Sequence, residues 1–314
     1  MTRGQGQGDE ETAGTRRARA LCRTARDRNA AKGASRVKVP RIVRRRVHEL
    51  ILARLPRACV ASQKPISFMI PLAVKDLDTA RLSLAALRKH ARHPIGEVVI
   101  AGQDHDLIRA FCAENNARYV NENDVMRRFV GASKFRDDPT QLMGWIKQQL
   151  LKLTAFEFTS GDSVLVHDSD TLYVRDIAFF NGARQICYMS DEYTKKYYPF
   201  LREIIGPVER HPRSFVAHSI LLQRDIMAAL DAHVRQRSGK GLIAHILDRL
   251  VAGEESRLSE FEIYGNFIHN FTPDRFETRY WYNRKISFSP GDRLEEIEAR
   301  WGRYNSVSNH TRPD

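Results

Sequence analysis

The chain has 314 residues, of which 42% are hydrophobic and 9% aromatic, enough apolar material for one large domain or two small ones. Its formal net charge is +13, yet residues 1–60 hold 16 Lys/Arg against 5 Asp/Glu, which leaves the remainder near neutrality. A fold that reads nucleic acid carries its basic patch on the fold itself, so no specific nucleic-acid partner is expected. No apolar run approaches the roughly 18 residues needed to span a bilayer.

In chain order, residues 1–40 are rich in Gly, Arg, Ala and Thr and nearly lack large apolar residues, so they read as a disordered basic tail. Residues 41–63 read as a basic amphipathic helix and linker. Ile42, Val43, Val47, Leu50, Ile51 and Leu55 recur at helical spacing among arginines. This helix packs on the domain or seats residues 41–55 on an anionic membrane. With no apolar core after the first arginines, a cytoplasmic location is expected, with a peripheral seat at the inner face of a membrane as its extension. Cys22, Cys59, Cys112 and Cys187 form no CxxC pair and suggest neither zinc nor a disulfide framework.

From residue 64 to residue 303 the pattern is that of one α/β domain. ISFMIPLA (66–73) predicts a buried strand, 78–91 a helix, 96–102 a strand, 106–116 a helix and 118–124 a third strand. This alternation implies right-handed crossovers and a mainly parallel sheet. A strong amphipathic helix follows over 143–158, then SVLVHDSDTLYV (163–174), whose apolar first half belongs at the sheet centre. Strands are expected at 185–190, within 214–224 and at 279–287, with helices at 225–236, 241–250 and 259–271. Residues 304–314 read as a loose C-terminal tail.

The chemistry concentrates at His167-Asp168-Ser169-Asp170-Thr171. Asp168 stands where a buried strand leaves the sheet, and ligands of open α/β sheets bind at such carboxyl ends. Carboxylates at i and i+2 would face one hard cation, Mg²⁺ or Mn²⁺, if the chain turns there. The alternative is an ordinary Asp/Ser surface turn. SEFEIYG (259–265) is the second constellation. Glu260 or Glu262 would serve as a general base, although Ser259 and Glu262 also have the spacing of a capping box. Tyr264 would share a face with Glu260. Asp191 and Glu192 follow a strand and would meet sugar hydroxyls or form a plain turn. Trp281 and Tyr282 would stack on a sugar or pack in the core.

The stretch GWIKQQLLKL…DSVLVHDSDTLYV resembles the DxD region of GT-A glycosyltransferases. ISFMIPL, GWIKQQLLKL, HDSDT and SEFEIYGNF together resemble a bacterial group of glycosyltransferase-like proteins of mostly unassigned substrate, over roughly residues 65–290. The resemblance implies a GT-A, Rossmann-like central sheet flanked by helices, carrying the basic N-terminal extension. It implies a UDP- or GDP-linked sugar donor, a glycan or other hydroxyl acceptor, and Mn²⁺ or Mg²⁺. On these positions Pro71 and Leu72 would line the nucleotide. Gln148, Lys152, Asp168 and Ser169 would contact the donor, and Asp168 with Asp170 would hold the metal. A further metal ligand would come from His269, His310 or His218. The competing classes are a nucleic-acid binder acting through the basic tail and a nucleotidyltransferase. Against the latter, IPLAVKD lacks the glycine-rich phosphate loop that would follow its first strand.

Overall fold

The computed structural model describes residues 59–132, 142, 144–250, 255–288 and 291–309, together with Val43 and Val47. The tail at 1–40, His310 and nearly all of the helix expected over 41–55 lie outside these residues. Val43 and Val47 are helical and exposed. Among the described residues no helix is long and apolar enough to cross a membrane.

β1 (Ile66–Leu72) is buried along its whole length, as an uninterrupted apolar run requires. It leads into α1 (Leu77–His90), β2 (Ile95–Gly102), α2 (Asp106–Glu114) and β3 (Arg118–Asn121). The strand expected over 118–124 stops at Asn121, whose side chain accepts from the Asn123 amide (2.9 Å) and caps a short helix, α3 (Glu122–Met126). α4 (Gly144–Leu153) is shorter than the sequence suggested. The Thr154 hydroxyl donates back to the Leu150 carbonyl (3.0 Å) and closes the helix there.

β4 (Ser163–His167) and β5 (Thr171–Tyr173) occupy the stretch read as one strand, and Asp168–Asp170 form the turn between them. β6 (Phe180–Asn181), β7 (Arg184–Met189), α5 (Tyr197–Ile205), β8 (Ser219–Gln223), α6 (Arg224–Ser238), α7 (Leu242–Arg249) and α8 (Glu260–Phe271) follow. The chain ends with β9 (Phe276–Tyr280), β10 (Asn283–Lys285), α9 (Leu294–Trp301) and β11 (Ser306–Ser308).

The central sheet has the order β3-β2-β1-β4-β8, with β8 antiparallel and the other four strands parallel. The mainly parallel α/β sheet read from the alternation is therefore present. Its chain winds outward from β1 to β3 and then returns to the other side of β1 as β4. The boundary between β1 and β4 is thus the switch point, where strand carboxyl ends part and leave a crevice.

Both faces of this sheet are covered. Phe68, Ile70 and Leu165 belong to a core with Leu84, Leu87 and Phe111 from α1 and α2. Met69, Val164 and Val166 face the opposite core with Leu150, Leu151 and Phe215. The period of two along β1 and β4 sorts these side chains to alternate faces. α8 approaches the second core so closely that a Cβ on Gly265 would stand 2.1 Å from the Phe215 ring.

Residues 304–309 are not a loose tail. β11 pairs antiparallel with β5 and parallel with β10, and Tyr304 and Val307 are buried. Ser306, Val307 and Ser308 are too short a run to signal a strand, and they make one only because the pairing edge of β5 is already in place.

Candidate functional site

His167 builds the turn. Its imidazole is fully buried, with Nδ1 2.6 Å from the Ser219 hydroxyl and Nε2 2.8 Å from the Thr171 carbonyl. The Tyr173 hydroxyl donates to the Ser219 oxygen (2.8 Å), so Ser219 donates to Nδ1 and Nε2–H donates to Thr171. Burial drives the His167 pKa down to about 4, which keeps the ring neutral. The ring thereby fastens the end of β4 to the start of β5. The turn between them is held by the Asp168 amide on the His218 carbonyl (3.0 Å) and the Asn309 amide on the Asp170 carbonyl (2.9 Å).

Two carboxylates leave this turn in different electrostatic states. Asp168 Oδ1 lies 2.5 Å from Lys152 Nζ, and its Oδ2 lies 3.4 Å from His218 Nδ1. Burial opposes ionisation of Asp168, but the Lys152 ammonium and the His218 hydrogen bond outweigh it and hold the carboxyl well below its ordinary range. For Asp170, burial and the neighbouring Asp168 charge act together and push the pKa up to about 6. Of the two, Asp170 is the carboxylate whose charge is poorly matched.

Lys152 is 4% exposed and also contacts Glu260 Oε1 at 2.7 Å, so one ammonium serves two acids. Burial works against its charge, yet Asp168 and Glu260 raise its pKa above the ordinary value. On the other side, His218 Nε2 is 3.4 Å from Glu192 Oε1 and 3.2 Å from the Asn283 side-chain amide. These acidic partners outweigh burial and push the His218 pKa up to about 10. The site is therefore a line of alternating charge, Glu260–Lys152–Asp168–His218–Glu192, with Asp170 beside its centre. His218 holds its place with φ of +59°, a left-handed backbone that is uncommon for a residue with a side chain.

The description "Family of unknown function (DUF6492)" matches residues 63–302. The chain is a member of the DUF6492 family. No curated protein matches it. Among solved structures, the crystal structure of mouse xyloside xylosyltransferase 1 in its apo form aligns at 14% identity and a TM-score of 0.42. The alignment covers 80% of this chain and 98% of that one. At that score the likeness transfers no activity.

In the DUF6492 chain the fold brings together Asp168, Asp170, Lys152, Glu260 and Glu192, with buried Ser169 inside the turn. Pro71 and Leu72 lie at the carboxyl end of β1 beside it, and both side chains are buried. Glu262 also lies close by, but it is 1% exposed and enclosed. Its carboxylate accepts from the Ser214 hydroxyl (2.6 Å) and the Asn266 amide (2.8 Å), and its backbone amide donates to the Ser259 cap (3.3 Å). Desolvation raises its pKa. These partners occupy the carboxylate and remove Glu262 from the general-base candidates.

Several expectations need correction. Gln148 is half-buried and, among the described residues, no hydrogen bond joins it to the site. The helix turns Gln149 inward instead, where its Oε1 accepts from the Glu260 amide at 3.2 Å. Tyr264 is fully buried, and its hydroxyl meets Gln185 (3.2 Å) and the Gln223 amide (3.1 Å) at the amino end of β4. It therefore does not face an acceptor. His269 lies about 14 Å along α8 from Glu260 and packs its ring on His211 and Phe276, too far to serve as a ligand beside Asp170. Trp281 is core, with its indole donating to Ser306 (2.9 Å). Of the three histidines, His218 stands at the carboxylates. Nothing in the spacing of SFVAHS separates it from the others, because its approach depends on β8 pairing with β4.

Proposed function

We propose that this chain is a metal-dependent glycosyltransferase that moves a sugar from a nucleotide-sugar donor to a hydroxyl acceptor. The observation that carries the reading is the pair Asp168 and Asp170 on a fixed turn at the carboxyl end of β4, beside the switch point of the sheet. An all-oxygen donor set in which burial and a neighbouring charge raise Asp170 to about 6 fits a hard divalent cation, whose charge would relieve that repulsion. Asp170 would hold Mn²⁺ or Mg²⁺, with Asp168 assisting. Among the described residues no three His, Cys, Asp or Glu side chains form a complete metal cage. The remaining positions then fall to water and substrate phosphates, which is usual for Mg²⁺. When bound, the cation supplies charge neutralisation for a departing nucleoside diphosphate.

The protein's own groups have separable parts in this reading. Lys152 fixes the orientation of Asp168 and leaves Asp170 as the carboxylate turned to the cation. Glu260 keeps Lys152 charged and in place, so it is a positioning residue here. Asp191 and Glu192, at the rim beyond His218, face the acceptor side. Pro71 and Leu72 border the nucleotide half of the crevice. A peripheral membrane seat through residues 41–55 remains compatible with this role and is proposed on the basic amphipathic pattern alone.

The test is a thermal-shift panel of nucleotide-sugars with and without Mn²⁺ on the full chain. Stabilisation by one donor that needs Mn²⁺ is expected, because a ligand bound only to the fold raises its melting temperature. Asp170→Ala is expected to abolish that shift and leave the melting temperature of the unliganded protein unchanged or higher. A broad panel without any Mn²⁺-dependent shift in the wild type would overturn the reading.

A further inference from the structure

Beyond Glu192 the site opens onto a rim made from three chain segments. Ser190 and Ser214 exchange backbone hydrogen bonds (2.9 and 3.1 Å), which sets Arg213 beside Asp191. β7 and β9 pair Met189 with Tyr280, which brings Tyr280 to the same edge. The Tyr280 hydroxyl donates to Asp191 Oδ2 at 2.9 Å, and the guanidinium of Arg213 lies over the Tyr280 ring at 4.8 Å. Arg210 is held between Tyr193 (3.7 Å) and Tyr198 (4.7 Å). An aromatic face fixes the plane of a guanidinium while leaving its N–H edges turned outward.

The charges on this rim are unevenly matched. Glu192 is answered by His218, and Asp191 accepts from Tyr280. Among the described residues neither Arg210 nor Arg213 has a carboxylate partner, and Arg213 is exposed. The buried Nε of Arg210 has no hydrogen-bond partner. Its Nη2 donates to the Pro212 carbonyl at 3.5 Å, so Arg210 braces the segment that carries Arg213. The pre-oriented, exposed guanidinium of Arg213 matches the planar, multidentate acceptor geometry of a carboxylate or a phosphate.

We propose that this rim is an acceptor subsite for an anionic group, bound by Arg213, so that the acceptor is an acidic one. The assignment of the bound molecule as acceptor rests on the glycosyltransferase reading. The anion site itself does not. The carboxylate would belong to an acidic sugar, and a phosphate would belong to a phosphorylated acceptor. Asp191 and Glu192, on the same rim, meet hydroxyl groups of the same molecule.

The experiment titrates the full chain by calorimetry with oligogalacturonate, a neutral cello-oligosaccharide of equal length and glycerol phosphate, at low and high salt. Mn²⁺-dependent nucleotide-sugar binding is measured on the same samples. An acidic probe is expected to bind at least about tenfold more tightly than the neutral one, corresponding to one charge-assisted contact pair, and to weaken with salt. Arg213→Gln should erase this preference without changing the melting temperature, since the side chain is exposed, and Arg213→Lys should keep part of it. Whichever of galacturonate and glycerol phosphate binds better identifies the source of the anion, and either supports the site. Equal binding of acidic and neutral probes, or an intact preference in Arg213→Gln, overturns it. Donor binding without an acidic preference defeats only the anion subsite. An acidic preference without donor binding defeats the transferase reading and leaves the subsite standing.

Discussion

The two ends of β4 carry buried polar networks of opposite kinds. At the amino end, about 13 Å from the Asp168 turn, Gln185 donates to the Leu221 carbonyl (2.6 Å) and receives from Gln223 (2.8 Å) and Tyr264 (3.2 Å). This network is neutral apart from the Arg275–Asp225 pair at its surface, and its donors and acceptors are matched. At the carboxyl end, four acids and two cations are crowded together, burial and the Asp168 charge raise the Asp170 pKa, and His218 sits on a left-handed backbone. Polar groups that only hold a fold settle into saturated arrangements. The carboxyl end instead keeps two neighbouring carboxylates beside a left-handed backbone at His218, and strain of that kind is a motive for the proposed function.

This contrast can be broken most directly at Lys152. Lys152→Met removes the single cation between Asp168 and Glu260 and should cost about 3–5 kcal/mol in urea denaturation, the range for stripping one partner from a buried ion pair. A loss under about 1 kcal/mol would mean that His218 and solvent already compensate Asp168. Tyr264→Phe, at the neutral end, should cost about 1–3 kcal/mol because it strands Gln185 and the Gln223 amide. Its response to Mn²⁺ and nucleotide-sugar should match the wild type, and a changed response would join the two ends functionally.

The strain at His218 is a smaller and finer probe. Both His218→Gly and His218→Ala lose the ring, but only glycine adopts φ of +59° without cost. The glycine variant should therefore be about 1 kcal/mol more stable than the alanine variant, read as a difference in urea midpoint. Equal stability would remove the strain from the comparison.

The smallest effect concerns His211, whose pKa burial lowers to about 4. The unfolded chain, titrating near 6.5, then binds a proton that the fold refuses, so stability should fall as pH drops from about 6.5 towards 4. Partial exposure keeps this loss modest. Urea midpoints at pH 7 and pH 5 should lie closer together in His211→Asn than in the wild type. An unchanged spacing would assign the acid sensitivity to the charged end of β4.

Much of the frame was legible in the residues themselves. β1, β2 and β4 announce themselves as apolar runs because both faces of each strand are buried, and the Asp168–Asp170 turn follows from where one such run ends. What failed was whatever depends on a partner distant in sequence. β11 is three residues long and exists through β5, α5 and α9 are not among the expected helices, and the expectation for Gln148 fails because spacing does not fix which side of a helix faces the sheet. Helical spacing put Tyr264 on the face of Glu260, yet the two side chains reach opposite ends of one strand. The carboxylate turn is legible from the strand that ends in it, but Lys152 bridging Asp168 and Glu260 requires the packed α4 and α8.

The bond from the Asn309 amide to the Asp170 carbonyl, with that from the Val174 amide to the Asn305 carbonyl, ties the turn to a segment more than 130 residues further along the chain. The turn therefore takes its final set of restraints only when residues 305–309 dock against β5. The geometry of the two aspartates is thus a product of the folded domain and not of the HDSDT segment alone.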